Sequence, residues 1–296
     1  MAAVEIRQRT LISPAQLARR RGRITYWIVL ALVLGLFTVI FLGPLYWMVS
    51  GGLKSTQEVI QTPPTAVPHT VEPGNYSDAW QLMDLARLLG NTLFYAFGAL
   101  AFQLVFDVAA AYSLSKLRPV FGKVILGAML ATLMIPATVL IVPQYLTVID
   151  VPIVERNLLN SPWAIWLPSV TNAFNIFLLK RFFDSIPREL MDAAAMDGAS
   201  AARTLWSVIL PMSRPILGVV SIFAVVGVWK DFLWPMLTLP DPAAQTLNIG
   251  IYSLSTGVPL NTLIAALTIA SVPTLLFFLV FQRNIMSGLT AGGLKG

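Results

Sequence analysis

The amino-acid sequence predicts an all-α, polytopic membrane protein with about six spanning helices. Three observations carry that expectation. Of 296 residues, 56% are hydrophobic and only 11% are charged, whereas an ordinary soluble domain is about 25% charged. A soluble fold of this size would have too little polar surface to cover itself, while a protein in lipid can be apolar outside. Six stretches reach the roughly 20 apolar residues that a bilayer core demands. Finally, the basic residues gather at the ends of those stretches, mostly on one side.

The first run lies near residues 24–49. It is far longer than the roughly 7–15-residue core of a cleaved signal, so it reads as a retained helix. A polar stretch near 51–89 follows, with Thr62-Pro63-Pro64 and Val67-Pro68, and reads as an extended external loop. The further runs lie near 90–113, 123–146, 162–183, 215–238 and 262–282. Pro44, Pro136, Pro143, Pro168 and Pro235 interrupt them, each removing a backbone donor and freeing a carbonyl. Such groups need neighbouring helices or a wet cavity, which fits a bundle lining a path better than a lipid anchor.

Lys and Arg fix the orientation. With the N-terminus inside, the inner side holds Arg7, Arg9, Arg19, Arg20, Arg21, Arg23, Lys116, Arg118, Lys123, Lys180, Arg181, Arg188, Arg203, Arg214, Arg283 and Lys295. The outer loops hold only Lys54, Arg87 and Arg156, and Lys230 falls within a span. Both termini are therefore expected in the cytoplasm, with Arg19–Arg23 touching anionic headgroups.

The same residues exclude several chemistries. The net charge of +6 forms no basic stripe with interleaved aromatics, so nucleic acid is not expected. There is no cysteine, and the single histidine, His69, sits in the Pro-rich loop. No catalytic or metal site is expected. No phosphate loop of the G-x-x-x-x-G-K-[ST] kind occurs, so ATP chemistry would come from another chain.

The most informative segment, residues 184–214, is expected on the cytoplasmic side. Pro187 suits a helix's first turn, Gly198 suits a left-handed position just past a helix end, and Ser200 can cap a second short helix carrying Leu205, Trp206, Val208 and Ile209. Two short helices bent at a glycine make either an interfacial hairpin or a docking element for a cytoplasmic partner. Ala193, Ala194 and Ala195 let a partner approach closely, and Asp192 and Asp197 supply charge.

Asp192-Ala193-Ala194, Asp197-Gly198-Ala199 and then Val208, Leu210 and Pro211 resemble the "EAA" loop of binding-protein-dependent ABC importer permeases. That pattern has Glu-Ala-Ala, three residues, Gly, nine residues and Ile-x-Leu-Pro; Asp192 and Val208 depart from it. Gly43-Pro44-Leu45-Tyr46-Trp47, Leu53-Lys54-Ser55, Asn75-Tyr76, Asn91-Thr92-Leu93 and the run from Ala110 to Arg118 resemble further family segments. The end, Gln282-Arg283 and Ser287 to Gly296, resembles the MalG-like second permeases of maltose, glycerol-3-phosphate and oligosaccharide importers.

The resemblance implies a transport subunit that moves a sugar or sugar derivative inward across a bacterial cytoplasmic membrane. It implies an N-terminal segment 1–23, a transmembrane domain 24–283 with its coupling-helix loop at about 184–214, and a cytoplasmic tail 284–296. Its partners would be a homologous second permease, two ATPase subunits and an extracytoplasmic sugar-binding protein. ATP and Mg would sit on the ATPases, and this chain would bind no cofactor. Coupling to the ATPase is assigned to Glu189, Asp192, Ala193, Ala194, Asp197, Gly198, Ala199, Leu210 and Pro211.

Path candidates are the polar groups at membrane depth: Asp107, Asn172, Asn175 and the Trp229-Lys230-Asp231 run, where the family usually shows Trp-Asn-Glu/Asp. Trp163, Trp166 and Trp234 suit either sugar stacking or the membrane interface. The alternative is an ion-coupled secondary transporter, which would need Asp107 or Asp231 as its acidic site. A membrane-embedded enzyme ranks last for want of converging acid, base or metal ligands.

Overall fold

The computed structural model describes residues 19–152 and 155–293, with side chains through residue 281. Arg7, Arg9, Lys295 and the side chains of the C-terminal motif lie outside the described residues, as does most of segment 1–23. Helix α1 (Arg20–Gly52) buries only Ser50, Gly51 and Gly52, at its end. Leu32, Val39 and Phe41 along it are each at least two-thirds exposed, a surface suited to lipid. Two short helices follow, α2 (Thr56–Ile60) and α3 (Gly74–Leu82), where the sequence suggests only an extended loop.

The centre of the molecule is α4 (Leu85–Leu117), whose last turn, Ser113–Leu117, widens into a π turn. Helices α5 (Gly122–Thr132) and α6 (Ala137–Ile149) meet at 102°. A single turn α7 (Trp163–Trp166) precedes α8 (Ala173–Ser185) and α9 (Glu189–Met196). Helix α10 (Ala201–Met212) meets α11 (Arg214–Lys230) at 85°. Then come α12 (Leu233–Thr238), α13 (Leu247–Leu254) and α14 (Leu260–Gly293).

Among the described residues, α1, α4 and α14 are each long and apolar enough to cross a membrane, and the number rises to five if each of the two bent pairs is counted as one broken span. The expected fourth span, 162–183, is not one helix. Pro168 follows the α7 turn, and the Asn172 side chain accepts the N–H groups of Phe174 and Asn175, starting α8 anew. The expected third span breaks ahead of Pro136, since proline disfavours helical backbone in the residue before it. The fifth stops at Lys230: Pro235 sits four residues beyond Asp231, where its ring would clash with a helical carbonyl. Pro44 and Pro143, by contrast, lie inside continuous helices. The last helix continues to Gly293, beyond the span limit near 282 suggested by the sequence.

Helix α4 packs against α8, α11 and α13, and α14 against α1, α3 and α11. At one end Val108, Ala111 and Tyr112 of α4 meet Ile176, Leu179 and Phe183 of α8 and Ile216 and Val220 of α11. At the other, Leu85 and Leu88 meet Trp229, Leu247 and Ala265. Gly98 lets the Trp166 indole lie directly on α4, where its Nε1 donates to Tyr95 O at 3.1 Å.

Candidate functional site: the coupling loop and the intramembrane polar cluster

The loop between α8 and α11 is held by local chemistry. Gly198 takes φ +75° just past the end of α9, a conformation that L side chains rarely adopt. Two residues later the Ser200 hydroxyl accepts the Arg203 N–H at 3.3 Å and starts α10. Helix α9 buries Ala194 and exposes Glu189, Asp192, Ala193 and Asp197. Ala199 and Leu210 are half-buried, and Pro211 is exposed. Met196, which the sequence reading passed over, is 84% exposed on the same helix. Its spacing of three from Ala193 and four from Asp192 was the signal for a shared face.

Three bonds tie this loop to the end of α4. The Tyr112 hydroxyl donates to Ala201 O at 3.0 Å, Lys116 Nζ donates to Ile186 O at 2.9 Å, and the Ser115 hydroxyl donates to Asp184 Oδ1 at 2.7 Å. Asp184 also pairs with Lys180 at 2.6 Å. The run Ala110–Arg118 and the Asp192–Pro211 pattern, separate in the sequence, are therefore joined in space. The tethering role of Tyr112 and Lys116 was not legible from either segment alone.

The structure brings three of the path candidates together. Asp107 Oδ1 accepts the Asn172 N–H at 2.9 Å, and Asn175 Nδ2 donates to Gln103 Oε1 at 3.1 Å. Asp107, Asn175 and Gln103 are buried between α4 and α8, whereas Asn172 is exposed. Gln103 went unnoticed in the sequence, although it lies four residues before Asp107, on the same helix face. Trp229, Lys230 and Asp231 lie apart from this cluster. Trp229 is buried and its carbonyl accepts Asn248 Nδ2 at 2.9 Å; Lys230 is exposed; Asp231 ends α11 and accepts the Trp234 N–H at 3.4 Å. Trp234 Nε1 donates to Ala164 O at 2.9 Å, which fixes its indole by packing.

Residues 107–290 match the family described as the binding-protein-dependent transport system inner membrane component. The chain belongs to that family. Like its relatives, this inner membrane component is a multi-pass transport subunit and not an enzyme. It is 34% identical, over 90% of each chain, to the sulfoquinovosyl glycerol transport system permease protein SmoH of Agrobacterium fabrum. It is 30% identical to the diacetylchitobiose uptake system permease protein NgcG of Streptomyces coelicolor, over 87% of this chain and 85% of that one. The fold resembles a crystal structure of a bacterial ABC transporter involved in the import of the acidic polysaccharide alginate. There the TM-score is 0.77 and the identity 26%, covering 90% of this chain and 98% of that one.

Proposed function

We propose that this permease subunit forms half of the path for a sugar or sugar derivative, and that residues 188–211 receive the motion of a cytoplasmic ATPase. The loop geometry carries this reading. A short helix with an exposed acidic and small-residue face is seated on a left-handed glycine and tethered to the central helix by Tyr112 and Lys116. A rigid handle joined to the bundle can convert a partner's closure into a change of the path. The carbohydrate class is supported by relatives named for sulfoquinovosyl glycerol and diacetylchitobiose and by the alginate importer.

The assembly in this reading contains a homologous second permease, two ATPases that hold ATP and Mg, and an external binding protein. The basic residues gathered on one side support a cytoplasmic location for both termini. Segment 1–23 and tail 284–296 then flank one transmembrane domain, 24–283. Exposed Asn172 and Lys230, with Asp231, are the groups available to the path, while Asp107 and Asn175 fasten α4 to α8.

Gly198→Pro tests the coupling. Proline is locked near φ −65° and cannot take +75°. ATP-driven uptake in vesicles is expected to be abolished while the protein still inserts in the membrane. Normal uptake by this variant would rule out the coupling assignment.

A further inference from the structure

We propose that this subunit holds one anionic phospholipid by its headgroup in a cavity between the α4–α5 turn and the last turns of α8. The cavity measures about 570 Å³ and is lined by Arg118, Lys123, Lys180 and Asp184, with Ser115 and Leu126 among the remaining residues. Its charge is not self-cancelling. Asp184 is already satisfied by Lys180 at 2.6 Å and by the Ser115 hydroxyl at 2.7 Å. Arg118 and Lys123 form no ion pair among the described residues, which leaves two positive charges for an anion. Arg118 is also held in place: its backbone takes φ 51°, and its Nε donates to Ser115 O at 3.2 Å.

The second half of the argument is the surface beside the cavity. Val120 is 94% exposed, Phe121 70% and Val124 69%, all within a few residues of the two free cations. A small phosphate or sugar phosphate would use the cations and leave this apolar surface bare. An anionic phospholipid satisfies both, with its phosphate on Arg118 and Lys123 and its acyl chains along α5. The site rests on the proposed cytoplasmic placement of the α4–α5 turn, at the level of the headgroups. It is distinct from the Arg19–Arg23 cluster, and it adjoins the Ser115–Asp184 bond that helps hold the coupling loop to α4.

The test is native mass spectrometry of the full chain, isolated in detergent with whatever subunits accompany it. The sample is titrated with dioleoyl phosphatidylglycerol or dioleoyl phosphatidylcholine. The wild-type protein is expected to retain one phosphatidylglycerol in preference to phosphatidylcholine. Arg118→Gln with Lys123→Gln is expected to weaken that binding roughly 30-fold, the effect of two surface cations on an anionic headgroup. Arg118→Lys with Lys123→Arg keeps both charges and should retain the lipid, which separates charge loss from misfolding. Equal retention of both lipids, unchanged binding by the Gln variant, or loss in the charge-preserving variant would overturn the proposal. Displacement of the lipid by tenfold excess inorganic phosphate would also overturn it, since the site would then be one for free phosphate.

Discussion

Asp107 is an acidic residue inside a spanning helix, a placement that persists only with partners. Its Oδ1 accepts the Asn172 N–H, which helps start α8 in mid-bundle. Removing that side chain takes away the acceptor of the Asn172 N–H and leaves a gap between α4 and α8 where Asp107 is buried. Asp107→Ala is expected to lower the unfolding temperature in detergent. Asp107→Asn keeps an oxygen there and should retain most of both stability and uptake. Loss of uptake in Asp107→Asn at unchanged stability would instead indicate that the proton or charge itself is used. A second acidic residue acts outside the membrane. The Thr65 hydroxyl, 2.6 Å from buried Glu58, leads in holding its carboxyl below the usual range; the His69 N–H and the charges of His69 and Lys54 add to this, and burial opposes it. Because the folded value lies below the unfolded one, the stabilisation is present above about 4.5 and is lost as pH falls through the lowered value. Hydrogen exchange of residues 64–70, normalised to intrinsic rates, should lose protection below pH 4.5 in the wild type. In Glu58→Gln it should already be weak at pH 7. The importance of Asp107 could be read from its placement in an apolar run. The Glu58 network could not, because Thr65 and His69 reach it only through the fold of the loop.

The bent shape of the loop between α8 and α11 was legible because each of its parts is local: a glycine past a helix end, a serine cap, small residues on a short helix. The broken spans were legible only in part. Five prolines were candidates for interruption, and the breaks fall near Pro136, Pro168 and Pro235, while α1 and α6 run through Pro44 and Pro143. A proline's effect depends on whether neighbouring helices re-satisfy the freed carbonyl, which is a tertiary fact. Close approach between elements was likewise hidden. A Cβ on Gly98 would fall inside the Trp166 indole, whose Nε1 is already committed to Tyr95 O. Gly98→Ala is therefore expected to destabilise the protein by about 1–3 kcal/mol. The readout is a lower melting temperature in detergent, and an unchanged one would show that α7 moves away freely.

At the scale of the whole molecule, an apolar outer surface surrounds a mainly apolar core that holds a small polar cluster. The lipid-suited face of α1 is the first, and the buried Asp107, Gln103 and Asn175 between α4 and α8 are the last. In the proposed reading the bundle takes its energy from an ATPase chain, and α9 is where that chain is expected to dock. Because the protein contains no cysteine, a single thiol reports one contact without background from this chain. The decisive measurement places Met196→Cys on the exposed face of α9 and cross-links it in membranes with a short thiol-to-amine linker. The product is then identified by mass spectrometry. The account predicts a covalent product with a subunit that carries an ATP-binding phosphate loop, and ATP-driven uptake that stops once the bridge forms. Absence of such a product, together with uptake that follows an ion gradient without ATP, would contradict it.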